Sequence, residues 1–154
     1  MRNLTLLCIL IFSINAFGQD CSDIKKDVDK FNGTITYLSP LSDDITFFKV
    51  IVNADTSYRM RLKTTGSTLN VKEKGVIVLL GDGGKIKWDD ADIKAEPGDD
   101  SDWRYHAWVQ ITKKQIQQLS KSTITDFRLY IYDASVPESK QSEYKNFIAC
   151  LLKQ

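Results

Sequence analysis

Hydrophobic and polar residues alternate along most of this chain, and a period of two predicts β-strands that bury one face. The pattern is clearest where Tyr58, Met60 and Leu62 fall on one face and basic residues fall on the other. The wholly apolar residues 76–80 predict a central strand that is covered on both faces. The other strands predicted from composition and alternation span residues 45–52, 57–64, 103–111 and 125–133.

Two short turns predict β-hairpins. The dipeptide Asn32-Gly33 separates two β-favouring segments and suits a type I′ turn. The glycine-rich residues 82–84 separate the apolar strand from a returning strand over residues 85–88. The acidic residues 89–102 that follow are expected to form a polar loop.

Two helices are predicted late in the chain. Thr112 and Gln115 have the spacing of a capping box, which begins a short helix. The final segment carries one apolar helical stripe, formed by Tyr144, Phe147, Ile148 and Leu151. Roughly seven strands and two short helices predict a mainly β fold, an antiparallel β-sandwich or open barrel. One helix is C-terminal, and both are expected to cover an end or an edge of the sheet.

The first 18 residues have the layout of a secretory signal. Arg2 supplies a basic start, residues 4–12 are almost wholly apolar, and small residues precede an expected cleavage site before Gln19. The apolar run is too short for a bilayer span, which takes about 20 residues. We therefore expect residues 1–18 to be removed, and residues 19–154 to form one exported domain in the periplasm or the medium.

The charge of the chain indicates which partners to expect, and its cysteines indicate a disulfide bond. The chain has 21 basic and 20 acidic residues, and removal of Arg2 with the signal leaves a formal net charge of zero. That balance gives no reason to expect nucleic acid or an anionic membrane as a partner, and no transmembrane segment is predicted. Removal of Cys8 leaves Cys21 and Cys150, which are expected to pair in an oxidising compartment. Two free thiols are the alternative.

Three segments of the chain are distinctive: LKTTGSTLNV at 62–71, KGVIVLL at 74–80 and ITDFRLYIYD at 124–133. Together with the turn at 29–33, they resemble a family of small exported proteins of unknown function from Gram-negative bacteria. The resemblance covers most of the mature chain. It implies an exported β-domain, and it transfers no functional residue to this sequence.

The sequence shows no catalytic signature. His106 is the sole histidine, which excludes multi-histidine zinc sites. A Ser-His-Asp triad has little support, because no Gly-x-Ser-x-Gly motif is present. The glycines within residues 81–84 lack the lysine-serine ending of a phosphate-binding loop, and a hairpin turn explains them.

Carboxylates are concentrated in the acidic segment, and at this density they can assemble oxygen ligands for Ca²⁺. Their spacing is not that of an EF-hand, so a solvated polar loop is the alternative. Ca²⁺ is the only cofactor that the sequence suggests. Its candidate ligands are Asp89, Asp90, Asp92, Asp99, Asp100 and Asp102.

An aromatic platform is a further candidate site. Two predicted strands each place three residues opposite their core-facing side, namely Arg104, His106, Trp108, Arg128, Tyr130 and Tyr132. If these strands adjoin, the rings form a flat surface rimmed by arginines, which suits a sugar ring or a protein hot spot. The alternative is that the rings lie beneath the helices as a second layer of core.

These features favour a non-enzymatic exported protein that binds another protein or a glycan. The first alternative is a small hydrolase of envelope sugars or peptides. Such an enzyme needs two carboxylates, or His106 and an acid, in one cleft. The second alternative is a structural component of the envelope.

Overall fold

The fold is seen in a computed structural model that describes residues 21–99 and 101–154. The predicted signal and its cleavage site lie outside the described residues, and so does Asp100. The strands are β1 (Lys25–Val28), β2 (Ile35–Leu38), β3 (Ile45–Val52), β4 (Asp55–Gly66), β5 (Lys74–Leu80), β6 (Lys85–Pro97), β7 (Trp103–Ile111), β8 (Ile124–Leu129) and β9 (Tyr132–Ser135). The helices are α1 (Lys113–Lys121) and α2 (Glu138–Lys153). The mainly β fold with a C-terminal second helix is therefore confirmed.

Neighbouring strands are antiparallel, in the order β1-β2-β3-β4-β7-β6-β5-β8-β9. β6 belongs to two parts of this sheet, because residues 85–88 pair with β5 and residues 93–97 pair with β7. β8 and β9 contact β4, so the sheet folds over along β6. We call β1–β4, β7 and the second part of β6 the large half. The small half comprises β5, β8, β9 and the first part of β6.

The two halves face each other across one hydrophobic core. Alternation along the strands supplies its largest members, which include Ile45, Phe47, Met60, Leu62, Tyr105, Val76, Phe127 and Leu129. The ring of Tyr132 on β9 stacks on Tyr105 of β7, with 4.5 Å between the ring centroids. Burial of each such side chain contributes roughly 1.5–3 kcal/mol before the entropy of ordering is subtracted. The shared core therefore holds the folded-over sheet together.

Both helices begin and pack as their sequence patterns predict. Thr112 Oγ1 accepts a hydrogen bond from the Gln115 N–H, and the Thr112 N–H donates to Gln115 Oε1 at 2.8 Å. The predicted stripe of α2 is buried, and Tyr144 lies edge-on to Phe47 of β3 at 5.8 Å. α2 contacts α1, β3 and β8, so it spans both halves of the sheet. In the described ranges, neither helix is long and apolar enough to cross a bilayer.

Cys21 and Cys150 lie at disulfide-bonding distance, as predicted, with their Cα atoms 5.6 Å apart. Cys150 is buried beside the apolar stripe of α2. The bond attaches the segment before β1 to this helix across 129 positions of sequence. Such a bond suits an oxidising compartment, and it lowers the entropy of the unfolded chain by closing a long loop.

Two strand predictions in the small half are only partly right. Residues 76–80 form a strand within β5, but only one of its faces is covered, because Val76, Val78 and Leu80 are buried whereas Leu79 is 42% exposed on the outer face. Residues 125–133 are two strands, β8 and β9, joined by a tight turn at Tyr130 and Ile131. Tyr130 has a φ of 57°, which reverses the chain, and Ile131 is exposed in the turn.

The prediction of an acidic loop over residues 89–102 is also wrong for most of that range. β6 runs through residues 89–97, and only a short turn then leads to β7. Ile93 of this stretch is buried, while Ala91 and Ala95 pack partly against the core. The acidic side chains between them remain in solvent, so the strand forms although aspartate disfavours strands.

Candidate functional site

The outer face of the large half carries the best-defined candidate site. Cross-strand pairing aligns Thr46 of β3, Arg61 of β4 and Trp108 of β7 in one row. Phe48 lies on the same face, because alternate residues of a strand share a face. These four residues come from three strands, and the register of the sheet alone brings them together. We call them the Trp108 cluster.

Trp108 is the centre of this cluster. It is 48% exposed, although it lies on a strand with neighbours on both sides. Its ring lies 5.0 Å from the ring of Phe48, and the guanidinium carbon of Arg61 lies 5.8 Å from its centroid. The latter distance is within the range of a cation–π interaction. The indole is therefore held in position while about half of it stays open to a ligand.

Arg61 is oriented by its neighbours on both sides. Its Nη2 donates a hydrogen bond to Thr46 Oγ1 at 3.2 Å. Its Nε is buried, and among the described residues it has no hydrogen-bond partner. A guanidinium in this position is already ordered, so an anionic acceptor binds it at a small cost in side-chain entropy.

The charge around the Trp108 cluster is mixed, because Asp89 and Asp90 line the same open pocket as Trp108. The basic residues on this outer face are Arg59, Arg61, Lys63, Lys94 and Arg104. Asp43 lies 4.0 Å from the Lys63 ammonium, and Glu96 lies opposite Arg104 in the register of β6 and β7. Anions therefore offset most of these cations, and Arg61, which lies against the indole, is the group that favours an anionic ligand.

The platform predicted from the sequence is only partly assembled. Arg104, His106 and Trp108 do share the outer face of β7, but β7 neighbours β4 and β6, not β8. The other three predicted residues therefore lie in the small half. The expectation that the two aromatic strands adjoin is wrong, because β5 and the first part of β6 stand between them.

Each of those three residues has a different environment. Tyr132 turns inward and stacks on Tyr105, whereas Tyr130 is exposed in the turn between β8 and β9. Arg128 pairs with Asp133, with 2.8 Å between Nη2 and Oδ2. The hydrogen bonds from Arg128 hold the pKa of Asp133 below its usual range. None of the three contributes to the Trp108 cluster.

The candidate Ca²⁺ ligands lie apart from one another, because several of them are spread along β6. Asp89, Asp90 and Asp92 lie along β6, whereas Asp99 and Asp102 belong to the turn before β7. No three acidic, histidine or cysteine side chains in the described ranges lie close enough to hold a metal ion. The extended backbone of β6 is the reason, since its side chains point alternately to opposite faces.

His106 borders an open cavity of about 440 Å³ at one end of the large half. The cavity also contacts the basic residues Lys63 and Arg104 and the acidic residues Glu96 and Asp99. A hydrolase that uses His106 needs an acidic residue nearby, and Glu96 and Asp99 border the same cavity. Cations and anions alternate around this cavity, as they do on a solvated face.

Sequence reasoning missed three members of the Trp108 cluster, namely Thr46, Phe48 and Arg61. Thr46 is buried and carries no signal of its own. Phe48 and Arg61 carry a signal that alternation reveals once the inner face is known. Phe48 lies between the buried Phe47 and Lys49, and Arg61 lies between the buried Met60 and Leu62. Each is therefore an outward position on a half-buried strand.

Comparison with protein-family models, with curated proteins and with solved structures found no match for this chain. The resemblance to a family of exported bacterial proteins therefore stays a prediction, and the site is interpreted from its own geometry.

Proposed function

We propose that this chain is a non-enzymatic exported binding protein that holds an anionic glycan on the outer face of the large half. One observation carries the proposal: a half-exposed indole, Trp108, lies beside the oriented guanidinium of Arg61.

The indole suits a sugar ring. One face of a pyranose is lined by C–H groups, and packing it on a flat aromatic ring removes apolar surface from water on both partners. The sugar hydroxyls stay at the rim, where side chains and water satisfy them. Phe48 extends the apolar surface beside Trp108, so the contact is larger than one ring.

The charge selects the kind of glycan. Arg61, which lies against the indole, favours a sugar that carries a carboxylate, such as a uronic acid. Arginine binds carboxylates through two parallel N–H···O hydrogen bonds, which gives orientation as well as energy. A neutral polymer gains the stacking contact only.

Binding to soluble polygalacturonate tests the proposal, with dextran as the neutral polymer of comparable size. We expect the mature chain to bind polygalacturonate, with an affinity that falls as salt rises, and to bind dextran far more weakly. Trp108→Ala should lower the affinity at least tenfold, since truncation of a central aromatic residue costs more than about 1.4 kcal/mol.

Tyr130→Ala is the matched control, because Tyr130 is also an exposed aromatic residue but lies in the small half. It should bind polygalacturonate as the unmodified chain does. Equal loss in both variants, or full affinity in Trp108→Ala, would show that the large half is not the binding face. A chain that binds neither polymer would leave a protein partner as the ligand class.

A hydrolase is the second candidate function, and the shared cavity of His106, Glu96 and Asp99 is the observation that favours it. Incubation of the chain with polygalacturonate and with peptidoglycan fragments, followed by assay of new reducing ends, tests this candidate. Product release that disappears in Glu96→Gln would establish it, and no release would leave binding as the function.

Export is part of the proposal. The Cys21–Cys150 bond and the predicted signal both support it. The mass of the chain purified from a bacterial periplasm should correspond to residues 19–154, less two hydrogens for the disulfide. A chain that keeps residues 1–18 in the cytoplasm would contradict export.

A further inference from the structure

Lys49 is a buried lysine on the inner face of the large half. Only 7% of it is exposed. The register of the sheet places it between Tyr37 of β2 and Tyr58 of β4. Its ammonium lies 5.9 Å from the centroid of the Tyr58 ring, and among the described residues it forms no hydrogen bond or ion pair. Lysine is almost never buried in this way unless it is paired.

An open cleft of about 310 Å³ lies beside Lys49, between β3–β4 and the two helices. Its polar wall contains the hydroxyl groups of Thr56 and Tyr58 and the amide of Gln117. Its apolar wall contains Ile116 of α1 and Leu152 of α2. The volume is at the lower end of the range for small-molecule sites, and the combination of apolar surface with a few polar groups is typical of them.

The electrostatic character of this cleft is positive. Lys113, the first residue of α1, borders it together with Lys49. The first turn of α1 contains no acidic residue, so the positive end of the helix dipole is not neutralised there. No carboxylate is among the described residues that line the cleft. An anion is therefore the complement that the site lacks.

Burial supports the same conclusion, because desolvation lowers the pKa of the Lys49 amine. The charged form is thus less stable in the fold than in water. An anion beside it compensates for the lost hydration, as a partner does for any buried charge.

We propose that the cleft between β3–β4 and α1 binds a small organic carboxylate, whose carboxyl group pairs with Lys49 and Lys113. The hydrocarbon part of the ligand lies against Ile116 and Leu152. This site is on the face of the large half opposite the Trp108 cluster, so it is independent of the proposed glycan site.

A carboxylate fits better than a phosphate for two reasons. A phosphate dianion carries a larger hydration cost into the cleft than a carboxylate, whose single charge is shared between Lys49 and Lys113. The apolar wall also rewards hydrocarbon, at about 0.8 kcal/mol for each buried CH₂ group. Affinity should therefore rise with chain length until the cleft is filled.

Thermal unfolding of the mature, oxidised chain tests this proposal. The probes are acetate, butyrate, hexanoate and benzoate, with inorganic phosphate and chloride at matched ionic strength. We expect hexanoate or benzoate, at about 100 times its Kd, to raise the Tm by on the order of 5–10 °C. The shift should increase from acetate to hexanoate, and chloride should produce none.

Lys49→Met removes the charge and keeps the aliphatic stem, so it should abolish the shift. Lys113→Gln alters only an exposed side chain and should weaken hexanoate binding several-fold, which keeps the test valid if Lys49→Met fails to fold. Lys114→Met is the matched control, because Lys114 is also on the first turn of α1 but does not line the cleft. It should bind as the unmodified chain does.

Three outcomes would overturn the proposal. The first is a Tm that no carboxylate changes in the unmodified chain. The second is a shift that persists in both Lys49→Met and Lys113→Gln. The third is an equal shift with phosphate and hexanoate, which would make the cleft a general anion site without selectivity for organic carboxylates.

Discussion

The hydroxyl groups of Tyr105 and Tyr132 both donate to the same acceptor, the carbonyl oxygen of Thr68. Tyr105 comes from the large half and Tyr132 from the edge strand of the small half. The amide of Asn70 completes the network, since its backbone N–H donates to the Tyr105 oxygen at 2.9 Å. The loop between β4 and β5 is therefore attached to both halves of the sheet.

Tyr105→Phe should lower the free energy of unfolding by about 1–2 kcal/mol, because it removes the hydrogen bonds that the buried Tyr105 makes with the Thr68 carbonyl and the Asn70 N–H. Urea denaturation measures the change, and hydrogen exchange at Asn70 should accelerate. Tyr37→Phe is the control, since the Tyr37 hydroxyl forms no hydrogen bond within the described residues. A loss of stability as large in Tyr37→Phe would mean that the network contributes nothing specific.

Gly66→Ala should destabilise the fold by about 1–3 kcal/mol, the usual cost of inserting atoms into a packed site. A Cβ at this position would lie 2.3 Å from Cε1 of Tyr132. The double variant Gly66→Ala/Tyr132→Ala removes the obstruction, so its destabilisation should be smaller than the sum of the two single changes. Strict additivity in urea denaturation would contradict the contact.

Tyr144→Phe should lower the free energy of unfolding by about 1 kcal/mol at neutral pH. The Tyr144 hydroxyl donates to the partly exposed carboxylate of Asp44, which places the cost at the lower end for a charged acceptor. Lys140→Met is the control. It removes only the ion pair at the same carboxylate, in which Lys140 Nζ lies 3.4 Å from Asp44 Oδ1. We expect this change to lower the free energy of unfolding by about 0.5 kcal/mol.

The hydrogen bond between Tyr144 and Asp44 also predicts that the stability of the fold depends on pH. Burial raises the pKa of Asp44, but hydrogen bonds from Tyr144, Ser42 and the Ile45 N–H outweigh it and leave the pKa below 3.8. The stabilisation is therefore present above pH 3.8 and is lost as pH falls through the lower, folded-state pKa. The difference between the unmodified chain and Tyr144→Phe should shrink over that acidic range. A difference that stays constant would contradict this linkage.

Lys49 predicts a slope of the same sign at alkaline pH. Its pKa is lowered by burial from 10.5, so the unfolded chain binds more protons between the two pKa values. Without ligand, the stability of the unmodified chain relative to Lys49→Met should rise as pH approaches 10.5. Burial also raises the pKa of Tyr58, but this contribution to the pH dependence is present in both proteins and cancels in the comparison. An unchanged difference across this range would show that the ammonium is not destabilised in the fold.

Local signals predicted the elements that depend on neighbouring residues. The strand Trp103–Ile111 has the predicted bounds, because its apolar residues alternate without interruption. The capping box at Thr112 and the stripe on α2 are likewise short-range patterns. The Cys21–Cys150 pairing followed from the count of cysteines alone.

The errors arise where long-range packing overrides local preference. β6 continues through its aspartates because Ile93 is needed in the core, although composition favours a loop. The turn at Tyr130 has neither glycine nor proline to mark it. The Trp108 cluster needs strand order, and no local pattern shows that β4 and β7 are neighbours.

The order of the strands has a consequence for the folding pathway. β1–β4, β5–β7 and β8–β9 each pair with strands next to them in sequence, so three meanders can form early from local contacts. Within residues 21–99 and 101–154, two ladders join distant parts of the chain, β4 with β7 and β5 with β8. Loop-closure entropy makes such contacts slow to form. We therefore expect assembly of these locally paired units along the two ladders to be the slow step of folding, and the face that carries Trp108 forms only when β4 pairs with β7.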